Sequence, residues 1–295
     1  MNCDKLIVAG VVCAVLGAAW AVPASAYVVT LDNFNVQKNG GAFFNDPFSD
    51  GLPPPSAPNL ANGTLGSYAT NGIFSEVGGR AVMDTGLGVP GANPANVGQF
   101  ATLLSNISPA NLTLGLRSNS TFKVEGLFDL LTSIEPQDRY GVRLTDRLTG
   151  GPGTPPDQPG NDNLELAVRR GADGILRVQF REIDFTIDAM GATTEIAALV
   201  LAPAPGTDQI RLRLERPSLL STDVTASFDL LDNGLVTFSH TFSTGGNPFA
   251  TIFNGENWTR AQFLATERVP EPGTLALLAL GLVPLVLARR KRRGA

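Results

Sequence analysis

Period-two alternation of apolar and polar residues recurs along the middle of this chain and constrains its fold more than any other feature. The clearest run lies between residues 120 and 131, where Phe122, Val124 and Phe128 alternate with polar neighbours. Successive side chains of a strand point to opposite faces, so each run predicts a strand with one buried and one solvated face. Similar runs occupy residues 27–36, 140–145, 164–168, 176–181, 210–215, 224–230 and 236–242.

Turn signals separate these runs. Gly171 to Gly174 predicts one hairpin, and Asn233-Gly234 predicts another, because Asn-Gly suits the tight turns that join antiparallel strands. The chain also contains 32 Gly and 21 Pro. We expect long loops at 43–96 and 150–160, a helix at 94–104, and either helix or strand at 195–201. The sequence thus predicts an all-β, antiparallel two-sheet sandwich.

Strand-like segments follow one another after residue 120, at 121–128, 140–144, 210–216, 223–229 and 260–265. Their order resembles a concanavalin A-like (laminin-G-like) jelly roll. This resemblance implies a sugar-binding ancestry, but fold alone does not establish a sugar site.

The N-terminus has the parts of a cleaved secretory signal. Lys5 precedes a mostly apolar run, Pro23 ends it, and Ala24-Ser25-Ala26 supplies the small residues that signal peptidase requires. We therefore predict a signal peptide at 1–26, cut after Ala26. A retained membrane anchor is the alternative. Both cysteines of the chain lie inside this segment, so the mature protein needs no disulfide.

The C-terminus carries three features in a fixed order. Pro270, Glu271 and Pro272 come first, and the fifteen uncharged residues 274–288 follow. This run predicts a short transmembrane helix, because flanking basic side chains extend its reach to the interface. By the positive-inside rule, the basic cluster stays in the cytoplasm and the upstream chain faces outward. The cluster consists of Arg289, Arg290, Lys291, Arg292 and Arg293.

This arrangement resembles the PEP-CTERM sorting signal. The resemblance implies recognition by an exosortase-like membrane protease that cuts near Pro270-Glu271-Pro272. It also implies a Gram-negative exporter that makes exopolysaccharide or biofilm. A plain C-terminal tail anchor is the alternative. We expect three parts: the signal peptide at 1–26, an exported β-sandwich domain at 27–268, and the sorting signal at 269–295.

The exported part is acidic. Setting aside Lys5 and the five basic C-terminal residues leaves 16 Lys+Arg, and setting aside Asp4 and Glu271 leaves 25 Asp+Glu, a net charge of -9. Such a surface argues against nucleic acid and anionic lipid as partners, since both need a basic face. The single histidine and the two removed cysteines also exclude a His/Cys zinc site.

One segment is a catalytic candidate. Glu182-Ile183-Asp184 resembles the opening of the carboxylate motif of laminarinase-type glycoside hydrolases, which implies Glu182 as nucleophile. Thr186 or Ile187 stands where the second Glu belongs, and Asp188 lies about 20 Å from Glu182 on an extended strand. Two carboxyls must be about 5–5.5 Å apart for retaining hydrolysis. The pattern therefore favours a solvent-facing polar stripe, and we assign no catalytic residue.

Other candidates are a calcium site, a stacking face and a lone histidine. Loop oxygens suit Ca²⁺, although Asx residues in loops are commonly turn formers. Trp258, Phe249 and Phe253 could stack on sugar rings or pack in the core. His240, in an alternating run, is expected to be an ordinary strand residue. The calcium candidates are Asp157, Asn161, Asp162 and Asn163.

These observations predict an exported precursor, anchored in the inner membrane and then moved to the cell surface or extracellular matrix. Its expected partners are signal peptidase, an exosortase-like protease and polysaccharide. The sandwich is expected to bind carbohydrate or to be structural, without catalysis and without a required cofactor. The alternative is a secreted glycoside hydrolase or lyase on the same scaffold.

Overall fold

The computed structural model describes residues 27–49, 56–59, 65–71, 74–85, 89–90, 96–105, 120–145, 163–184, 192–221, 224–242 and 260–268. Residues Ala26–Arg268 belong to one structural unit. The part of the chain so described contains seventeen strands and no α-helix. In chain order they are β1 (Val28–Lys38), β2 (Gly41–Asp46), β3 (Ser56–Asn59), β4 (Leu65–Asn71), β5 (Phe74–Glu76), β6 (Ala81–Asp84), β7 (Val89–Pro90), β8 (Asn96–Ser105), β9 (Phe122–Asp129), β10 (Arg139–Thr145), β11 (Asn163–Arg170), β12 (Leu176–Asp184), β13 (Ala192–Val200), β14 (Gln209–Arg216), β15 (Thr225–Asp232), β16 (Leu235–Phe242) and β17 (Arg260–Arg268).

The strands form two antiparallel sheets, which confirms the predicted fold class. The first sheet has the order β16-β15-β14-β9-β1-β6-β5, with β2 also paired to β1. The second sheet has the order β13-β12-β11-β10-β17-β8-β4-β3, with β7 also paired to β8. Both sheets join strands that are distant in sequence, such as β9 with β14 and β10 with β17.

The sheets pack face to face around an aromatic and aliphatic core. Phe34 of β1 contacts Phe263 of β17, and Phe128 of β9 contacts Tyr140 of β10, with ring centroids 5.1 Å and 5.6 Å apart. All four rings are fully buried. The Tyr140 hydroxyl accepts a 2.9 Å hydrogen bond from the Leu131 amide, so its polar end is satisfied inside the core.

The first sheet follows the predicted alternation. Inward and outward positions alternate without exception along β9 and β14, from buried to half-buried. Arg213 on the outer face lies 2.9 Å from Glu125 and 2.8 Å from Asp229, so its neighbours neutralise it. One buried face and one charged face are what the sequence pattern indicates.

The second sheet departs from that pattern at β11. Its first six residues, Asn163 to Val168, are all buried, so both faces of this strand are withdrawn from water. The expectation of a wet outer face at Glu165 is therefore wrong, and this glutamate is fully buried. Arg139 and Arg143 of β10 and Arg181 of β12 supply the interactions that water would otherwise make.

Three local expectations need correction or completion. The helix expected at 94–104 is wrong, because β8 (Asn96–Ser105) pairs with β17 on one side and β4 on the other. Pairing with two neighbours outweighs weak local propensity. Residues 195–200 of the stretch 195–201, for which helix and strand were both expected, belong to strand β13. Much of the region expected as loops at 43–96 forms short strands.

Both predicted hairpins are confirmed. Asn233 and Gly234 have φ of 48° and 77°, the two positive values that a type I′ turn requires, and they join β15 to β16. The turn from Gly171 to Gly174 joins β11 to β12. The final strand, β17, is paired on both sides in the second sheet, between β10 and β8.

Candidate functional site

The outer face of the second sheet carries two rows of polar side chains across neighbouring strands. We call this surface, on strands β10 to β13, the arginine face. The ladder register aligns the first row as Arg143, Glu165, Arg181 and Glu195. It aligns the second row as Arg139, Arg169 and Arg177. Side chains at one register level share a face, so each row is a line of neighbours.

Glu165 is the centre of the first row. Arg143 Nη2 lies 2.6 Å from Glu165 Oε2, and Arg181 Nη2 lies 2.6 Å from Glu165 Oε1. Arg139 Nε lies 3.2 Å from Glu165 Oε1. One carboxylate is thus shared by three guanidinium groups. Because signs alternate along the row, neighbouring members compensate one another. Arg143, Glu165 and Arg181 do so away from water, whereas Glu195 is exposed.

Burial sets the electrostatics of this cluster. Burial by itself would raise the pKa of Glu165, but Arg139, Arg181 and Arg143 outweigh it and hold that pKa well below its usual range. Burial lowers the pKa of Arg181 to about 9, against the attraction of Glu165. Both groups are therefore charged at neutral pH. Removing one partner from such a buried network costs about 3–5 kcal/mol, because the remaining charge stays buried.

The last strand of the unit completes the cluster from the other side. Gln262 of β17 is fully buried, and its Oε1 accepts a 3.3 Å hydrogen bond from Arg143 Nη1. The cluster therefore links β17 to β10, β11 and β12. The cluster is structural, since it holds these four strands of the sheet in one register.

The second row is different, because all three members carry the same charge. Arg139 is opposite Arg169, and Arg169 is opposite Arg177. Like charges directly opposite on adjacent strands are destabilising. Arg139 forms its ion pair with Glu165 in the first row. Arg169 Nη1 donates a 3.0 Å hydrogen bond to the neutral amide oxygen of Gln179. Arg177 Nη2 lies 2.6 Å from Asp173 Oδ2.

A row of small residues separates the two charged rows on β10 and β11. Gly141 and Ala167 face each other there, with Gln179 next in line on β12. A Cβ on Gly141 would approach the Ala167 Cα to 2.7 Å, which no side chain tolerates. Glycine at this position therefore lets β10 and β11 approach closely, and only small side chains lie between the two arginine rows on these strands.

A cavity of about 450 Å³ opens at the hairpin end of this face. A Cβ on Gly171 would lie 2.7 Å from Arg177 Nη1, so the missing side chain makes room for the Arg177–Asp173 ion pair. The bond from Arg177 is the main cause that holds the pKa of Asp173 well below its usual range. Gln179 Nε2 donates to Glu195 Oε2. The cavity is lined by Arg169, Gly171, Ala172, Asp173, Arg177, Gln179 and Glu195.

Glu182, the catalytic candidate that the sequence analysis weighed and did not assign, is not part of this surface. Strand alternation places Glu182, opposite Leu164 in the ladder, on the sheet face away from Arg181. Arg181 forms its ion pair with Glu165 of the neighbouring strand β11. Asp188 lies outside the described residues. His240 is half-buried and packs on Phe242 at 4.8 Å between centroids, in an aromatic group at the edge of the first sheet.

The remaining predicted site residues lie mostly outside the described residues. This holds for the cleavage site (Ala24, Ala26), the sorting motif and basic cluster, the three calcium candidates at 157, 161 and 162, and the aromatic residues at 249, 253 and 258. Asn163 is described, and it begins β11 in a fully buried position. Within the described ranges, no group of three His, Cys, Asp or Glu side chains could hold a metal. Nor does any helix there have the length and apolarity to cross a membrane.

Sequence reasoning did not identify Glu165 or the arginine rows as a site. Alternation assigned Glu165 to a wet face, where an ion pair would contribute little. The available signal was the composition of its neighbours, since Arg143 and Arg181 occupy polar positions of the adjoining runs. Only the register of β10, β11 and β12 brings these residues together.

A comparison with protein families finds the PEP-CTERM protein-sorting motif at residues 268–293. The chain therefore carries the sorting motif that its C-terminal sequence indicated. This motif implies processing by an exosortase, a membrane protease, and thus an exported precursor anchored at its C-terminus. No curated protein matches the chain.

Two solved structures with distant similarity are of one enzyme. The structure of alginate lyase Aly36B shares 12% identity, with 81% of this chain and 97% of that chain covered and a TM-score of 0.24. A variant of that lyase in complex with alginate trisaccharide shares 14% identity, with coverages of 73% and 85% and a TM-score of 0.22. TM-scores this low support no inference about fold or activity.

Proposed function

We propose that this protein is a cell-surface or extracellular-matrix component whose β-sandwich binds carbohydrate without catalysis. Residues 1–26 direct export and are removed after Ala26, residues 27–268 form the binding domain, and residues 269–295 direct sorting. Pro270, Glu271 and Pro272 are the recognition site of the exosortase. Support for the sorting part comes from the family match at 268–293.

The observation that carries the binding proposal is the cavity at the end of the arginine face. Its walls bring together guanidinium, amide and carboxylate groups, which offer hydrogen-bond donors and acceptors close together. Sugar hydroxyl groups both donate and accept, so a mixed polar lining of this kind suits them. The side chains are already held by partners, as in Gln179 with Arg169 and Glu195, so little ordering is needed on binding.

The chemistry of Asp173 favours binding over hydrolysis at this carboxyl. A glycosidase needs a carboxylic acid whose pKa is raised, so that it can protonate the leaving group. Arg177 shifts the pKa of Asp173 in the opposite direction, and this carboxyl is ionised at neutral pH. The carboxylate of Asp173 is thus suited to accepting hydrogen bonds and not to donating a proton.

A glycan-binding screen tests the proposal. The protein would be applied to a panel of neutral and acidic polysaccharides, with calcium and with a chelator, and release of reducing ends would be measured in parallel. We expect binding without release. Release of reducing ends would replace this proposal with the hydrolase or lyase alternative. Absence of binding to every member of the panel would contradict it and favour a purely structural role. If glycan binding depends on calcium, the result would support the calcium site predicted from sequence at residues 157–163.

A further inference from the structure

We propose that a second copy of this chain pairs with strand β16, so that two first sheets join edge to edge about a twofold axis. This self-association goes beyond carbohydrate binding and does not depend on it. It is carried by three features of β16, namely its position at the edge of the sheet, its exposed apolar side chains and its lack of charge.

Strand β16 ends the first sheet. Among the described strands it pairs with β15 alone, opposite residues 226–232. Six of its eight residues are exposed, and they include residues on both faces of the strand. The backbone N–H and C=O groups on its outer side are therefore a template for another antiparallel strand.

The apolar side chains of β16 are poorly covered. Leu235 is 74% exposed, Val236 52% and Phe238 45%. Phe238 lies opposite the buried Leu230, so it is on the core-facing side of the sheet. The core is thus open to water along this edge. Apolar groups from a neighbouring molecule would withdraw this surface from water, which is favourable.

Aromatic rings continue from the buried core to this open edge. The ring centroid of the buried Phe228 lies 5.8 Å from that of Phe238 and 5.8 Å from that of His240. His240 packs on Phe242 at 4.8 Å. Because these contacts already position the rings, pairing with a second molecule costs little ordering of side chains.

The three other strands at the ends of the two sheet orders have features that discourage pairing. Strand β5 has three residues, β3 contains Pro58 within four residues, and β13 carries the exposed Glu195. Short length, proline and charge are the usual protection of a sheet edge. Strand β16 has eight residues without proline or charge. Its irregularity at Thr237 lies near the hairpin, and residues 238–242 stay in register with β15.

Charge favours a second copy at this edge over its other surfaces. The domain carries a net charge of -9 between residues 27 and 270, so two copies repel each other in general. The outer face of the first sheet bears charged groups such as Glu125 and Arg213. Pairing of β16 with β16 brings no charged side chain of either strand into contact, since the strand has none.

The strand is also complementary to itself. Directly opposite residues of an antiparallel ladder share a face, and a twofold axis makes the pairing the same in both directions. Phe238 and His240 therefore meet aromatic or apolar residues of the second copy, while Ser239 and Thr241 meet hydroxyl residues. Aromatic pairs and Thr–Ser pairs are both favourable across strands. A second copy supplies this pattern by symmetry.

The expected interface is small. One strand pair buries less than the about 1,200 Å² at which standard stable interfaces begin, so we expect a weak dimer in solution. Attachment of both copies to one surface raises their effective concentration and strengthens pairing without any new contact. Self-association of this kind suits a component that is crowded at a membrane or in a matrix.

Sedimentation velocity of the full-length protein in detergent, over a wide range of protein concentration, tests the proposal. We expect a monomer–dimer equilibrium. Thr241→Lys places a cation on the edge strand of each copy, and dimerisation should become about tenfold weaker, because charge on an edge opposes pairing. Thr225→Lys is the matched control, since it adds the same charge to the same face of β15, which is paired on both sides. It should leave dimerisation unchanged.

Disulfide cross-linking locates the contact. Cys3 and Cys13 would first be replaced by serine, which removes both cysteines of the chain. Ser239→Cys with Thr241→Cys should then give a covalent dimer on a non-reducing gel, because opposite Cα atoms in a ladder lie about 4.5–5.5 Å apart, within disulfide range. The control is the pair Ser227→Cys and Thr225→Cys on β15. Three strand spacings, about 14 Å, would separate it from its counterpart, so no covalent dimer should form.

The proposal requires both results. A protein that is monomeric at every concentration would overturn it, and so would a dimer that Thr241→Lys leaves intact or that Thr225→Lys weakens equally. Absence of the covalent dimer, or equal cross-linking of the control pair, would also overturn pairing through β16. A negative glycan panel would contradict carbohydrate binding and leave self-association standing, so the two proposals fail separately.

Discussion

Phe34 and Phe263 meet edge to face in the centre of the sandwich, with ring centroids 5.1 Å apart and planes at 66°. One belongs to the first strand of the unit and the other to the last, so this contact joins the two sheets and the two ends of the domain. Phe48 packs against the same Phe263 ring at 5.8 Å. The core is therefore closed only when the C-terminal strand β17 is in place.

We expect Phe263→Ala to destabilise the protein by about 3–5 kcal/mol, because it removes a fully buried ring and leaves a cavity between the sheets. The measurement is urea unfolding followed by circular dichroism. Phe238→Ala is the control, since Phe238 is 45% exposed on the edge strand β16. A loss of similar size in both variants would show that the Phe34–Phe263 contact has no special weight.

Glu165→Gln tests the buried hub of the arginine face. The substitution keeps the shape of the side chain but leaves three guanidinium groups without their shared carboxylate, so we expect a loss of about 3–5 kcal/mol. Glu125→Gln is the matched control on the first sheet, where the ion pairs are partly solvated, and should cost about 1 kcal/mol or less. Comparable losses would contradict the assignment of Glu165 as the hub.

The same glutamate predicts acid sensitivity. Its pKa is lower in the folded state than in the unfolded chain, so its stabilisation is complete above the ordinary value of 4.5 and is lost as the pH falls further. Burial raises the pKa of Asp32, which works in the opposite direction. We therefore expect the stability difference between wild type and Glu165→Gln to shrink from pH 7 to pH 3. A constant difference would rule out this linkage.

Gly141→Ala tests the close approach of β10 and β11. The added methyl group would overlap the backbone of β11, so we expect a loss of about 3 kcal/mol, the upper end of overpacking. Gly174→Ala is the comparison. Its Cβ would meet nothing within 4 Å, and its cost of about 1–2 kcal/mol comes only from the φ of +75°. Thermal melts of both variants would decide between sheet packing and backbone strain.

Sorting is tested by replacing Pro270, Glu271 and Pro272 with alanine. The family match at 268–293 implies exosortase processing, so we expect the variant to accumulate uncut in the inner membrane. Fractionation and immunoblotting of membranes and medium would measure this. The control replaces three residues of the exposed segment 202–206, which should leave release unchanged. Normal release of the alanine variant would contradict the role of the motif.

The strands were predictable because their information is local. Along β9 and β14, a single rule of alternation gives both the element and its buried face, and the Asn233-Gly234 turn follows from the φ values that each residue tolerates. The sorting signal was also predictable from the sequence, since it depends on the composition and order of its segments and not on packing. Strand β8 could not be predicted from its own sequence, because its pairing with β17 and β4 decided its conformation.

The sequence by itself determined an all-β sandwich, its hairpins and an exported, sorted precursor. The tertiary structure alone decided that Glu165 is buried among three arginines and that Arg139, Arg169 and Arg177 form one row. Each arginine occupies an ordinary polar position of its own strand. Their juxtaposition arises from ladder register, which is fixed jointly by turn geometry and by burial of the opposite face, so no single segment contains it.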